Sequence, residues 1–315
     1  MKNIYLLILL VTLSGISLFI GVTDLNLSQI LAGDTGSIQI MLISRIPRLI
    51  TIIIAGMSMS ISGLIMQQLS RNKFVAPSTA ATVDSAKFGV LVSLILFPAA
   101  SSFGKMLVAF AFALMGTFLF MGILRRIKLR DAVFIPLIGI MLGNIIDSIT
   151  TFVAYRYDLI QNISSWLMGN FAMVIKGRYE LLYLSVPLVI IAYFYANKFT
   201  IAGMGEDFSK NLGLNYNQVV NIGLVIVALI SAIVIITVGR IPFLGLVVPN
   251  IVTIYQGDHL KKSISTTALL GSVFLLACDI LGRVIIYPYE ISIGLTVGVI
   301  GSVIFLYLIF RRNEA

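Results

Sequence analysis

The sequence predicts an all-α polytopic membrane protein of about ten transmembrane helices, with both termini in the cytoplasm. Three observations carry that reading. Only 11% of the 315 residues are charged and 59% are hydrophobic, whereas a soluble domain clothes its surface with about 25% charged residues. Mean hydropathy is +1.04. The apolar residues also fall in runs close to the ~20 that a helix needs to cross a bilayer.

In chain order, residues 4–22 form the first span. "IYLLILLVTLSGISLFIGV" follows "MKN" without a small-x-small cleavage site, so an anchor helix is expected rather than a removed signal peptide. The second span, 48–69, opens on "ISRIPRLITIII", where Arg45 and Arg48 bracket an Ile-Pro step. A weaker span at 79–99 is interrupted by charge. Clear runs at 104–124 and 132–154 flank the basic stretch "RRIKLR", and further clear runs cover 180–197, 217–238 and 267–283. Weaker segments at 243–256 and 290–310 are broken by Pro or Gly. All of them fall in one transmembrane domain, 1–315.

Basic residues orient such a chain, because Lys and Arg are retained in cytoplasmic loops. With an even number of spans and the N-terminus inside, thirteen of the 22 basic residues fall on inner segments: Lys2, Arg71, Lys73, Arg125, Arg126, Lys128, Arg130, Lys198, Lys210, Lys261, Lys262, Arg311 and Arg312. Lys87 lies near an inner helix start. Eight fall outside, including Arg45, Arg48, Arg240 and Arg283. This orientation puts the arginines of "RIPR" on the outer face, as lipid anchors that snorkel to headgroups or as contacts for a partner.

Two helices carry small residues at i, i+4, i+7: Gly56, Ser60, Gly63 and Gly294, Gly298, Gly301. Such stripes let helix backbones approach closely in lipid, and plain packing is the expectation over substrate contact. Gln67 continues the first stripe and should face protein or a cavity. The longest polar inner segment, Asn197 to Gln218, holds Gly203 and Gly205, then "ED", then "SKNLG". Acid first, a cation late and Gly beyond are helix boundary signals; a short helix near 205–212 outside the bilayer is expected, as a working element or a connector.

Catalytic chemistry is absent from the pattern. There is no HExxH, GxSxG or G-x-x-x-x-G-K-[ST]; "GDHLKKS" from Gly257 lacks the glycine before lysine. One histidine, His259, argues against a His-based metal cluster or triad, and one cysteine, Cys278, excludes an internal disulfide. No catalytic, metal or cofactor residue is therefore assigned, and any ATP chemistry belongs to another polypeptide. Ionisable residues near or within the bilayer are Asp84, Lys87, Asp147, Asp279 and Glu290. Such groups are costly in lipid and suggest function. The spacing favours simple pairing of Asp84 with Lys87 at i, i+3, and of Asp279 with Arg283 at i, i+4.

Six stretches in order resemble the iron-siderophore and cobalamin permease family of ATP-binding-cassette importers: "RIPRLITIIIAGMSMSISGLIMQQLSRNKFVAPS", "WLMGN", "GMGEDFSKNLGL", "GRIPFLGLVVPN", "ACDILGRVI" and "YEISIGLTVGVIGSVIFLYLIFRR". The resemblance implies a ten-helix, non-catalytic permease in a bacterial cell membrane. It would pair with a second copy or homologue, be powered by two cytoplasmic ATPase subunits, and receive substrate from an external binding protein. It further implies that Arg45, Arg48 and Arg283 meet acidic residues of that binding protein, and that Gly205, Glu206 and Gly213 belong to the element docking into each ATPase. A ferric siderophore is the expected substrate, on the resemblance alone. Departures counsel against transferring substrate contacts: "TVDSAKFG" with Asp84 and Lys87, Lys73 after Asn72, Asn250 in "VVPN", and Ser292 and Ser302 in the last helix. The competing expectation is a proton- or ion-coupled secondary transporter using Asp84, Asp147 and Asp279.

Overall fold

The computed structural model describes residues 3–21, 34–126, 134–172, 174 and 179–313, and its regular elements are helices, with one isolated bridge between Met168 and Arg240. They are α1 (Asn3–Phe19), α2 (Thr35–Ile40), a π-helical turn (Met41–Arg45), α3 (Ile46–Leu69), a 3-10 turn (Pro77–Ala80), α4 (Thr82–Leu96), α5 (Ser102–Arg126), α6 (Phe134–Arg156) and α7 (Ile160–Leu167). A 3-10 turn (Glu180–Leu184) then leads into α8 (Ser185–Ala202), α9 (Glu206–Asn211), α10 (Tyr216–Val238), α11 (Leu244–Gln256), α12 (Leu260–Val284) and α13 (Ile293–Asn313). Among the described residues seven helical stretches are long and apolar enough to cross a membrane: 35–69, 102–123, 135–156, 180–202, 216–238, 260–284 and 293–310. The apolar α1 and α11 are shorter, and α4 has 15 residues. The protein is an all-helical, polytopic membrane protein.

Two boundaries and one short helix differ from the sequence reading, each for a local reason. The second segment starts at Thr35 and not near 48, because the helical run passes straight through Pro47. A proline ring lacks an N–H and crowds the carbonyl four residues back; the widened π turn immediately before it accommodates both. Helix α12 reaches back to Leu260 rather than 267, since its polar first turns are buried against neighbours: Thr266 Oγ1 donates to Asn3 Oδ1 at 2.7 Å. Helix α7 was not foreseen, as eight residues are too few to give a span signal.

Helix α3 is the axis of the bundle, and nearly all of Thr51–Leu69 is buried. Lipid is as apolar as a leucine, so helices associate here through close packing and hydrogen bonds. A Cβ at Gly56 would stand 2.7 Å from the Gly271 carbonyl of α12, and one at Gly63 would overlap the Gly245 carbonyl of α11. Ser60 Oγ occupies the space over Gly271. The second stripe lies along the turn between α10 and α11: a Cβ at Gly301 would be 2.7 Å from Phe243 Cβ, one at Gly298 3.6 Å from Pro242 Cγ, and one at Gly294 3.4 Å from Arg240 O. Buried polar groups tie helices together: Gln67 Nε2 donates to Leu246 O at 3.2 Å, Ser272 Oγ to Ile53 O at 2.9 Å, and Ser58 Oγ to Ser185 Oγ at 3.0 Å. Of the orienting basic residues, Lys2, Lys128, Arg130, Lys176 and Arg178 lie outside the described residues.

Candidate functional site

At one end of the bundle the chain gathers Arg45, Arg48 and Arg283 with Asp279 and Glu290. The end of α1, the start of α3 and the end of α12 meet there. Arg48 donates to Asp279 Oδ1 and to Glu290 Oε2, both at 2.8 Å, while Arg283 lies 2.7 Å from Asp279 Oδ2. The i, i+4 pair read from "ACDILGR" forms, but Asp279 is shared with an arginine 231 positions away. Arg283 also donates to Ser17 O at 2.9 Å and Ile20 O at 2.7 Å, and Arg45 to Ile20 O at 2.8 Å. The last carbonyls of a helix lack intrahelical partners and carry the negative end of its dipole, so these guanidinium groups cap α1. All three arginines are at most 8% exposed. They form one buried cluster.

The other end of α3 lies about 36 Å away, 24 residues at 1.5 Å each. There Gly203 abuts the Gln68 side chain, and Gly205, at φ +117°, opens α9 beside Arg71. Only glycine adopts that backbone without strain. Glu206 and Lys210 pair at 2.7 Å, which raises the Lys210 ammonium above its usual range. Ser209 Oγ donates to Ile201 O at 3.0 Å, fastening α9 to α8, and Gly213 ends the unit at φ +76°. Met204, Phe208 and Leu212 are exposed at i, i+4, i+8. The i, i+4 spacing of Phe208 and Leu212 in a polar segment is the sequence signal for that apolar surface.

Between the two ends the turn Gly239–Phe243 interrupts the helices. Helix α11 has 13 residues, about 20 Å, against a hydrocarbon thickness of about 30 Å. Its C-terminal end is followed by Asp258, which pairs with Lys73 on a segment expected in the cytoplasm, so the turn at its other end stands about 20 Å from that face, short of a full span. Irregular backbone at that depth survives only where protein or a water-filled cavity satisfies it. Here Arg240 N donates to Leu167 O at 2.9 Å, Asn170 N to Val238 O at 3.0 Å, and Gly294 N to Gly169 O at 3.3 Å. The segment after α7 is thereby stitched to the turn.

Four charges surround this turn. Asp84 pairs with Arg240 at 3.3 Å, and Lys87 with Asp147 at 2.6 Å. The intrahelical Asp84–Lys87 pair expected from i, i+3 spacing does not form. The two groups leave α4 toward different neighbours, Asp84 to the turn and across Gly143, Lys87 to the middle of α6. Three cavities adjoin here. One of about 370 Å³ is lined by Lys87, Arg240, Gln161, Ser164 and Ser165. It shares Ser165 and Met168 with a cavity of about 510 Å³ reaching Ser102, and Arg240 with one of about 320 Å³ reaching Ala76 and Pro77. Among the described residues no group of three His, Cys, Asp or Glu could hold a metal ion.

Comparison with known proteins fits this architecture. Residues 6–311 match the model of the FecCD transport family. The chain is 65% identical over 313 residues, 99% of both chains, to the petrobactin import system permease protein YclN of Bacillus subtilis. It is 36% identical over 304 residues, 96% of this chain and 97% of the relative, to the ferric-anguibactin transport system permease protein FatD of Vibrio anguillarum. A solved metal-chelate type ABC transporter in an inward-facing conformation shares the fold, with a TM-score of 0.87, 23% identity and 98% coverage of each chain.

Proposed function

The chain belongs to the FecCD transport family, and on that premise we propose that it is the membrane permease subunit of an ATP-driven importer for a ferric siderophore. The observation that carries the substrate class is the near-full-length identity with YclN, whose name is that of a petrobactin import permease. The chain moves substrate and does no chemistry on it. Its partners in this reading are a second permease, two cytoplasmic ATPases and an external binding protein, in a bacterial cell membrane. Ten spans with both termini inside complete the reading. Deleting the chain from its host and measuring uptake of radio-iron petrobactin tests it; unchanged uptake contradicts it.

Two features support roles for the ends. The exposed apolar pair Phe208 and Leu212, on and at the C-cap of a short helix bounded by Gly205 and Gly213, suits burial in an ATPase cleft, with Glu206 in its first turn. Exposed apolar stripes of this kind mark interaction sites. At the opposite end the arginine cluster stands as the docking region for the binding protein, with a modification that the geometry demands. Arg48 already holds Glu290, which is 21% exposed at its side chain, so an incoming carboxylate competes with Glu290 for the guanidinium fork. Secondary transport through Asp84, Asp147 and Asp279 has less support, because each of these acids is paired with a cation.

A further inference from the structure

We propose that the cavity between α4, α7 and the Gly239–Phe243 turn is an anion-receiving station on the substrate route, with Lys87 and Arg240 as its cations. The inference rests on the importer reading above and goes beyond it by naming where the chelate's charge is met.

Three observations converge. The cavity is the middle of three that adjoin through shared residues, and they run from Ser102 at one end of α5 to Ala76 and Pro77 near the far end of α3. Its walls carry two cations together with the amide of Gln161 and the hydroxyls of Ser164 and Ser165. Among the described residues no carboxylate lines it. Each cation is held from behind by an acid on another element: Asp147 of α6 behind Lys87, and Asp84 of α4 beside Arg240. Charges are kept within membrane helices where they face a cavity or mark a substrate pathway. Arg240 is half exposed at its side chain, so its guanidinium is accessible from the cavity it lines.

The ligand chemistry follows from the donors. A ferric ion is hard and takes oxygen ligands; a chelator that supplies them as carboxylates or catecholates leaves the complex negatively charged. Lys87 would meet such charge as a compact ammonium, and Arg240 as a planar fork for paired oxygens. The acids behind them compensate both cations while the station is empty, and a passing anion exchanges with those acids at little net cost. An anion bound against compensated cations is held weakly enough to leave. The departure "TVDSAKFG" thus acquires a purpose.

The test uses the whole importer and radio-iron petrobactin. Lys87→Gln lowers uptake about tenfold, the loss of one charge-assisted contact, while co-purification of the complex stays at the wild-type level. The swap Lys87→Asp with Asp147→Lys restores the ion pair but takes the cation off the cavity wall, and uptake stays low. If the swap returns uptake to the wild-type level, the pair is structural and the proposal falls. Should Lys87→Gln fail to assemble, Arg240→Gln gives the same reading, and full uptake by that variant overturns the station. Repeating the assay in vesicles of neutral phosphatidylcholine separates the chelate from a lipid headgroup: a deficit confined to vesicles with anionic lipid assigns the cavity to lipid and contradicts the proposal. Wild-type importer that takes up no ferric petrobactin fails the importer reading itself, and this station with it.

Discussion

Asp279 is the residue on which one end of the molecule depends. It is 4% exposed and is shared by Arg48 and Arg283, which are themselves buried. Removing one partner of a buried ion pair leaves uncompensated charge and costs about 3–5 kcal/mol. Asp279→Asn should therefore lower stability by about that amount, read from denaturant unfolding of the purified protein in detergent. Glu290→Gln should cost under about 1 kcal/mol, since that acid is partly solvated and Arg48 keeps Asp279. If docking requires the Arg48 fork to be released, Glu290→Gln tightens binding of the substrate-binding protein, and Arg48→Glu weakens it by reversing the charge presented. Equal docking by all three proteins would show that the cluster only braces α1, α3 and α12.

At the scale of elements, the glycine stripes give paired expectations. At Gly63 an added Cβ overlaps the Gly245 carbonyl, a backbone atom that cannot move aside, whereas at Gly298 it meets Pro242 Cγ at an ordinary 3.6 Å. Overpacking of this kind costs about 1–3 kcal/mol. Gly63→Ala should lose that stability in a thermal melt and Gly298→Ala should not. Helix α9 is judged by coupling: Phe208→Asp places a charge in its exposed apolar face and should abolish co-purification of the ATPases while leaving the melt unchanged. The helices themselves were legible because apolar runs need no partner to be recognised, and α9 because its acid-first, glycine-last pattern is local. Helix α7 and the π turn before Pro47 were not, since one is too short for periodicity and the other is a response to a proline inside a longer helix. The partners of Asp84 and Lys87 were hidden for a different reason. Spacing along one helix reports only neighbours on that helix, and both found theirs on others: Arg240 is 156 positions from Asp84, and Asp147 is 60 from Lys87.

For the whole molecule, the arginine cluster and α9 lie at opposite ends of α3, which is the arrangement needed for substrate delivery on one face and energy input on the other. The sequence helps in testing it, because its single cysteine, Cys278, is buried. Tyr289→Cys, exposed beside the cluster, should react with a membrane-impermeant maleimide in intact cells, and Leu212→Cys only after lysis. The reverse labelling would invert the topology, and labelling of both from outside would place α9 away from any cytoplasmic ATPase. The most direct test of the account concerns what drives transport. Radio-iron petrobactin uptake should be measured in vesicles carrying the importer with its binding protein, under ATP depletion and, separately, under collapse of the proton gradient. Uptake that stops with ATP depletion and survives loss of the gradient is the predicted result; uptake that survives ATP depletion and stops with the gradient would contradict it.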